Sequence, residues 1–246
     1  LFRSSHGGDL KKGEELVHAA AESGADCIKF QLVIADEIIH PKTGTVQLPG
    51  GEIPLYERFR NLERPPEFYA GLQNTAEKAG IRFLCTPFGV RSARILKDMG
   101  VDMLKIASPE LNHRPLLEEI SGYGVPVILS TGVSSAGDID EALCTLMPGG
   151  SEKKSPETVL LHCITAYPAP EEEYNLRCIP NLAALFGVPA GVSDHSLDPV
   201  LVPVLSAALG AVIIEKHLCL DRDGGGLDDP IALIPSEMAR MVREVR

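Results

Sequence analysis

The sequence has no run of the roughly 20 consecutive apolar residues that a membrane-spanning helix requires, and no signal-peptide pattern opens it. No membrane partner is therefore expected, and a cytoplasmic location is. Positive charge is also scarce, since 23 Lys and Arg stand against 34 Asp and Glu, for a formal net charge of -11. A nucleic-acid surface needs clustered cations to displace phosphate counterions, so that class of partner is set aside. Paired cysteines are missing. Cys27, Cys85, Cys144, Cys163, Cys178 and Cys219 are scattered with no CxxC, and most lie in apolar runs, which favours buried reduced thiols over disulfides or metal ligands. No GxGxxG follows a strand-like run, which lowers the case for a dinucleotide-binding sheet.

What is present is an alternation of short β-branched runs with longer amphipathic ones. The runs at 27–33, 82–88, 103–108, 126–132, 159–165, 190–195 and 212–218 read as strands, and the opening LFRSS as the remnant of another. Helices are predicted over 9–23, 66–79, 90–99, 114–122, 136–147, 175–186, 198–209 and 235–245. Several end on a glycine, such as Gly80 and Gly187, that leads into the next strand. Strand followed by helix, repeated with nothing left over, predicts a single α/β domain over 1–246 that closes as a (β/α)8 TIM barrel. Residues 34–65 form a connection far longer than an ordinary strand-to-helix loop. It reads as a lid or substrate wall, with a mobile solvated excursion as the alternative.

In such a barrel the C-terminal strand ends converge on one mouth. Those positions hold Lys29 and Gln31, Thr86, Lys105 with Ser108 and Glu110, Ser130 and Thr131, His162 with Thr165 and Tyr167, Ser193 with Asp194 and His195, and Glu215 with Lys216 and His217. Lysines embedded in strands, as in IKF and LKI, are costly to bury unless an anion meets them. Beside Ser108, Ser130 and Ser193 they suggest a phosphate or carboxylate cradle, with ion-paired structural lysines as the alternative. His195 and His217 end adjacent strands and could share a divalent ion, or simply cap strands through backbone hydrogen bonds. His162 lies deeper in its apolar run and reads as a satisfied core residue. His6, beside a Gly-Gly turn, is expected at the mouth.

Taken together, HGGDL, IKFQ, LCTPF, LKIASPEL, VILSTGVSS, LLHCITAYPAP, GVSDHS and IIEKHL stand in an order that resembles the sialic acid synthase family. That family comprises the N-acetylneuraminate synthases and their legionaminic, pseudaminic and spore-coat relatives. The resemblance implies a barrel transferase of carbohydrate biosynthesis. Its substrates would be phosphoenolpyruvate and an N-acylated amino-sugar aldehyde of the N-acetylmannosamine kind, joined to give a nonulosonic acid and phosphate through C–O cleavage. A divalent metal is implied, manganese first, with Mg²⁺ or Co²⁺ open. By the same resemblance Lys29, Lys105, Ser108, Ser130, Ser193 and Thr165 hold phosphoenolpyruvate, and His195 and His217 hold the metal. Glu110 acts near the reacting centre, Tyr167 and Glu215 line the sugar side, and Asp228 binds the sugar. A 3-deoxy-octulosonate type of synthase, or a barrel that binds sugar or phosphate without turnover, are the alternatives.

The chain departs from the family pattern at several points. LFRSSHGG stands where the family has Glu-Ile-Gly and then Asn-His, with Arg3 at the glycine and Ser5 at the asparagine. Thr165 stands where some members carry Asn. DRDGGGLDDP replaces a Pro-Gly-Pro-Asp loop and leaves Asp229 as a second match for Asp228. The family's antifreeze-like C-terminal domain, which contributes to the partner subunit's site, is expected to be absent, and a homodimer is left open.

Overall fold

A computed structural model describes residues 5–48, 51–148, 157–223, 226 and 228–246. All seven predicted inner strands form: β1 (Cys27–Gln31), β4 (Arg82–Thr86), β5 (Leu104–Ile106), β6 (Val127–Ser130), β7 (Thr158–Cys163), β8 (Ala190–Asp194) and β9 (Ile214–Lys216). They make one parallel sheet in the order β1-β4-β5-β6-β7-β8-β9. The sequence-based eighth strand falls almost wholly on residues 1–4, outside the described residues, and Ser5 lies in a turn. What is observed among the described residues is thus a seven-stranded parallel α/β sheet that curls.

The curl follows from the two-residue period of a strand. On the convex side Phe30, Phe83, Cys85, Leu104, Ile106, Val127, Leu129 and Leu160 pack against helix residues such as Leu16, Leu72, Leu96, Leu116 and Leu143. On the concave side Leu84, Ile128 and Leu161 pack with Cys27, Met103, Val159 and Ile213, so nearly every strand contributes one apolar side chain to a shared filling. Burying each such aliphatic side chain contributes roughly 2 kcal/mol. Lys29 on β1 and Glu215 on β9, the two edge strands, approach to 3.0 Å. A flat sheet of this order would hold them far apart.

The helices covering the convex side are α1 (Leu10–Glu22), α4 (Pro66–Ala79), α5 (Val90–Asp98), α6 (Arg114–Ser121), α7 (Ala136–Leu146), α8 (Cys178–Phe186), α9 (Leu201–Ala208) and α10 (Pro235–Val245). Local chemistry sets their ends. Asp9 Oδ1 accepts from Lys11 N at 2.8 Å to start α1. Ser135 and Asp138 cap α7 reciprocally, with Asp138 Oδ2 accepting from Ser135 N at 2.7 Å. Gly80 ends α4 at φ 71°, a left-handed conformation that other residues adopt only at a cost.

The long segment is ordered into α2 (Ala35–Ile38), an antiparallel hairpin of β2 (Thr45–Leu48) and β3 (Gly51–Pro54), and α3 (Leu55–Leu62). Val33, Ala35, Phe59 and Phe88 form a small core beneath it, with Ile38, Leu55, Tyr56 and Ala107 against them. Val33, Phe88 and Ala107 follow the ends of β1, β4 and β5, so this core sits at the C-terminal side of the sheet. This packing favours the expected lid or wall over the alternative of a solvated excursion for the described part.

His6 differs from its expected place. It is buried between Phe30 and Phe68, with ring centroids at 5.8 and 5.1 Å, in the layer between β1 and α4 and not at the mouth. Burial, helped by the nearby Arg64 charge, lowers its pKa to about 4. All six cysteines are free of disulfides.

Gly191 on β8 faces Ile213, whose carbonyl accepts from Val192 N at 2.9 Å, and a Cβ there would lie 2.2 Å from that oxygen. Because the obstacle is backbone, it cannot swing aside. Gly191→Ala is expected to part β8 from β9 and lower stability by about 3 kcal/mol, read from the urea midpoint. An unchanged midpoint would contradict this packing.

Candidate functional site

Two strand ends decide the site. In GVSDH on β8 and IIEKH on β9, the residues that point to the concave face are Ser193 with His195, and Glu215 with His217. Asp194 and Lys216 between them point the other way, where they form an ion pair with side chains 0% and 1% exposed. The expected pool of mouth residues therefore divides by parity. Asp194, Lys216 and also His162 leave it. His162 Nε2 donates to the Tyr174 carbonyl at 2.6 Å, the satisfied role read for it from the sequence.

Glu215 is the meeting point of the concave polar groups. Its Oε1 lies 3.0 Å from Lys29 Nζ and 3.5 Å from Lys105 Nζ, and accepts from Ser193 Oγ at 2.8 Å. Lys105 also donates to Ser130 Oγ. Burial by itself would raise the Glu215 carboxyl. The charges of Lys105 and Lys29 and the hydrogen bonds from Lys29 and Ser193 overcome that and hold it well below the usual carboxylate range. Burial pulls the Lys105 ammonium down, and Glu215 restores part of the loss. Glu215 thus sits between the two lysines for which the sequence suggests an anion cradle.

Next to the cradle stand the two imidazoles, with ring centroids 5.5 Å apart. Ser193 Oγ is 3.4 Å from His195 Nε2, which joins the cradle to them. The Ile164 carbonyl, which can only accept, lies 2.8 Å from His195 Nδ1, so that nitrogen carries the proton and Nε2 keeps its lone pair. His217 Nδ1 faces Asp228 Oδ2 at 3.5 Å. Burial lowers both pKa values, that of His217 to about 3 with the Lys29 charge assisting, and so favours the neutral form of both rings. Tyr167 stacks on His195 at 4.3 Å between centroids and meets His217 edge-on at 6.2 Å. Its hydroxyl lies 3.3 Å from His195 Nε2, and the ring is 37% exposed, which makes it the outer wall of this pocket.

The neighbouring strand ends complete the surround. Ser108 Oγ accepts from Gly132 N at 3.0 Å and touches Cys163 Sγ at 3.2 Å. A Cβ at Gly132 would lie within 2.8 Å of Thr165 Oγ1, Cys163 Sγ and Ser108 Oγ, so only glycine admits this convergence. Thr86 is 1% exposed, and its Oγ1 has no hydrogen-bond partner among the described residues. Glu110 is buried, with no partner for its Oε2 among the described residues; burial raises its pKa to about 7, against the opposing charge of Lys105.

Of the residues read from the sequence, Lys29, Lys105, Ser130, Ser193, Glu215, His195, His217, Tyr167 and Asp228 join one contact network, and Ser108 and Thr165 meet at Gly132. Asp228, not Asp229, faces the imidazole. Asp229 is fully buried and binds Gly226 N at 2.7 Å. Sequence reasoning missed Gly132 and Cys163 as parts of the surround, and Tyr174 behind it. The first two sit on the same strand parity as Ser130 and Thr165, a signal that could have found them. Tyr174 follows an acidic EEE turn and offered none.

No group of three His, Cys, Asp or Glu side chains among the described residues is arranged to enclose a metal. Two neutral imidazoles, one with its tautomer fixed by a carbonyl, nevertheless form a chemically apt pair of nitrogen donors that leaves the other coordination positions to water or ligand oxygens.

Known proteins share this arrangement of chain. The N,N'-diacetyllegionaminic acid synthase of Legionella pneumophila is 36% identical over 98% of this chain and 69% of its own length. The human N-acetylneuraminate-9-phosphate synthase is 32% identical over 98% of this chain and 67% of its own. A crystal structure of N-acetylneuraminic acid synthetase from Leptospira borgpetersenii, in complex with citrate, superposes with a TM-score of 0.87 at 34% identity, covering 98% of this chain and 79% of that one. The NeuB family model matches residues 16–246, and the chain belongs to the NeuB family.

Proposed function

We propose that the chain condenses phosphoenolpyruvate with the open-chain aldehyde of an N-acylated amino sugar, giving a nonulosonic acid and phosphate, inside a sheet that closes as the (β/α)8 barrel. The observation that carries this reading is the convergence of Lys29, Lys105, Ser130 and Ser193 on one point beside two neutral imidazoles. Family membership supports the sugar-acid class, and the family's synthases of legionaminic, pseudaminic and N-acetylneuraminic acids supply the acceptor type. The approach of the two edge strands through Lys29 and Glu215 supports closure.

Each role follows from the chemistry of its group. Lys29 and Lys105 meet the phosphate and carboxylate of phosphoenolpyruvate, with hydroxyls from Ser108, Ser130, Ser193 and Thr165 completing the donors. Glu215 keeps the lysines in place before the ligand arrives. His195 and His217 would hold a divalent cation, manganese being apt for a two-imidazole site, which would supply Lewis-acid polarisation of an aldehyde oxygen. Tyr167 and Asp228, on the outer side of the imidazoles, face the acceptor. The new bond joins the enol C3 to the aldehyde carbon; water adds at C2 and phosphate leaves with its bridging oxygen. Glu110, with a pKa near neutrality, is suited to take the proton of that water.

Steady phosphate release with phosphoenolpyruvate, Mn²⁺ and N-acetylmannosamine or a diacetylated bacillosamine-derived sugar is the expected outcome. Release only with an aldose phosphate, or with none of the sugars, would contradict the reading. His217→Ala is expected to abolish Mn²⁺-dependent release while leaving the thermal midpoint within a few degrees. Unchanged turnover after rigorous metal removal would reject its assigned role.

Glu110 supplies a separate check through stability. Its folded pKa is raised from 4.5 to about 7, so the folded state holds a proton that the unfolded chain has lost, and stability falls as pH rises between those values. Glu110→Gln removes this penalty. Relative to wild type the variant should be level near pH 4 and gain stability progressively, up to roughly 3 kcal/mol above pH 7, in urea unfolding at several pH values. A difference that does not vary with pH would show that Glu110 titrates normally.

A further inference from the structure

The pair of residues that parity turns away from the concave face is not idle. Lys216 donates to Asp194 Oδ2, to Ser196 O at 2.7 Å and to Ser196 Oγ at 3.2 Å. Asp194 Oδ1 accepts from Ser196 N at 2.8 Å and from the Tyr174 hydroxyl at 2.7 Å. The same hydroxyl accepts from His195 N at 2.6 Å. The backbone on both sides of His195 is thereby bound to a polar cluster that also includes the residue before His217. Tyr174, only 1% exposed, is tied in turn to β7 through its carbonyl and His162.

We propose that Tyr174, Asp194 and Lys216 are positioning residues that fix the separation and orientation of the two imidazoles, so that His195 and His217 present a preset donor pair to a divalent cation. The proposal rests on the metal role assigned above to those histidines and names the residues that tune it.

Three observations favour positioning over plain structural support. A buried ion pair gains little net stability over apolar side chains of the same size, because desolvation offsets the attraction. An apolar pair between β8 and β9 would hold the strands equally well. Every contact of the cluster on the β8 side goes to residues 194, 195, 196 or 198, the segment that carries the imidazole. The remaining freedom of His195, rotation of its ring, is removed separately by the Ile164 carbonyl. Partners of this kind around metal-binding histidines typically change affinity 10- to 100-fold when removed.

The test is a calorimetric titration of the full chain with Mn²⁺ alone, and separately with phosphoenolpyruvate alone, on wild type and Tyr174→Phe. The variant keeps the ring and loses only the hydroxyl that links Asp194 to His195 N. Mn²⁺ affinity should fall about 10- to 100-fold, while phosphoenolpyruvate affinity in the absence of metal stays within about threefold. Equal Mn²⁺ affinity in both proteins, with only the thermal midpoint lowered, would show a purely structural cluster and overturn the proposal. Parallel loss of both affinities would indicate general collapse of the site and overturn it as well. Absence of Mn²⁺ binding by wild type would instead remove the underlying metal reading, and the proposal with it. Should Tyr174→Phe fail to fold, Lys216→Arg, which keeps the charge but alters its reach, reads the same two affinities.

Discussion

The contact between Glu215 and the two lysines is the constraint on which the rest of the site depends. Three charged side chains from β1, β5 and β9 enter the interior of a curled sheet, and none would be tolerated there alone. Together they neutralise most of the charge and leave one positive unit over, next to serine hydroxyls. A buried pair of this kind is a poor source of stability, since breaking water contacts costs about as much as the attraction returns. Its value lies in holding two ammonium groups at one point in a protein whose overall charge would repel an anion. Under the proposed function, an entering anion would compete for hydrogen bonds that are already aimed, with little reorganisation of the chain.

Strand parity converts that constraint into a division of labour. On β8 and β9 the residues Ser193, His195, Glu215 and His217 point to the concave face, and the outward Asp194 and Lys216 hold the same backbone from behind. Below this polar tier the concave face is filled by Leu84, Ile128, Leu161 and their neighbours. A hydrocarbon floor under a polar tier keeps the local dielectric low where the charges stand, which strengthens every directed contact there. The same low dielectric favours neutral imidazoles, each with one ring nitrogen that keeps its lone pair.

Much of the fold was legible in the sequence because its signals are local. The β-branched runs such as VILS and VLLHC could hardly be read otherwise, and Gly80 and Gly187 mark helix ends by a conformation that favours glycine. The site was legible in membership more than in geometry. Strand-end position identified Lys29, Lys105, Ser193, His195 and His217. Only the register of pairing shows that Asp194 and Lys216 turn outward and that Glu215 sits between the two lysines. His6 was misplaced because a turn beside two glycines says nothing about which side of the sheet it lands on. Tyr174 was invisible because its partners His162, Asp194 and His195 lie 12 to 21 residues away in sequence, and an acidic turn before it suggests nothing but solvent.

The most direct measurement is an anomalous-scattering map from crystals grown with Mn²⁺ and phosphoenolpyruvate. The account predicts one manganese peak within bonding distance of His195 and His217, with the ligand's phosphate or carboxylate on Lys29 and Lys105. A manganese peak elsewhere, or phosphoenolpyruvate bound away from both lysines, would contradict it.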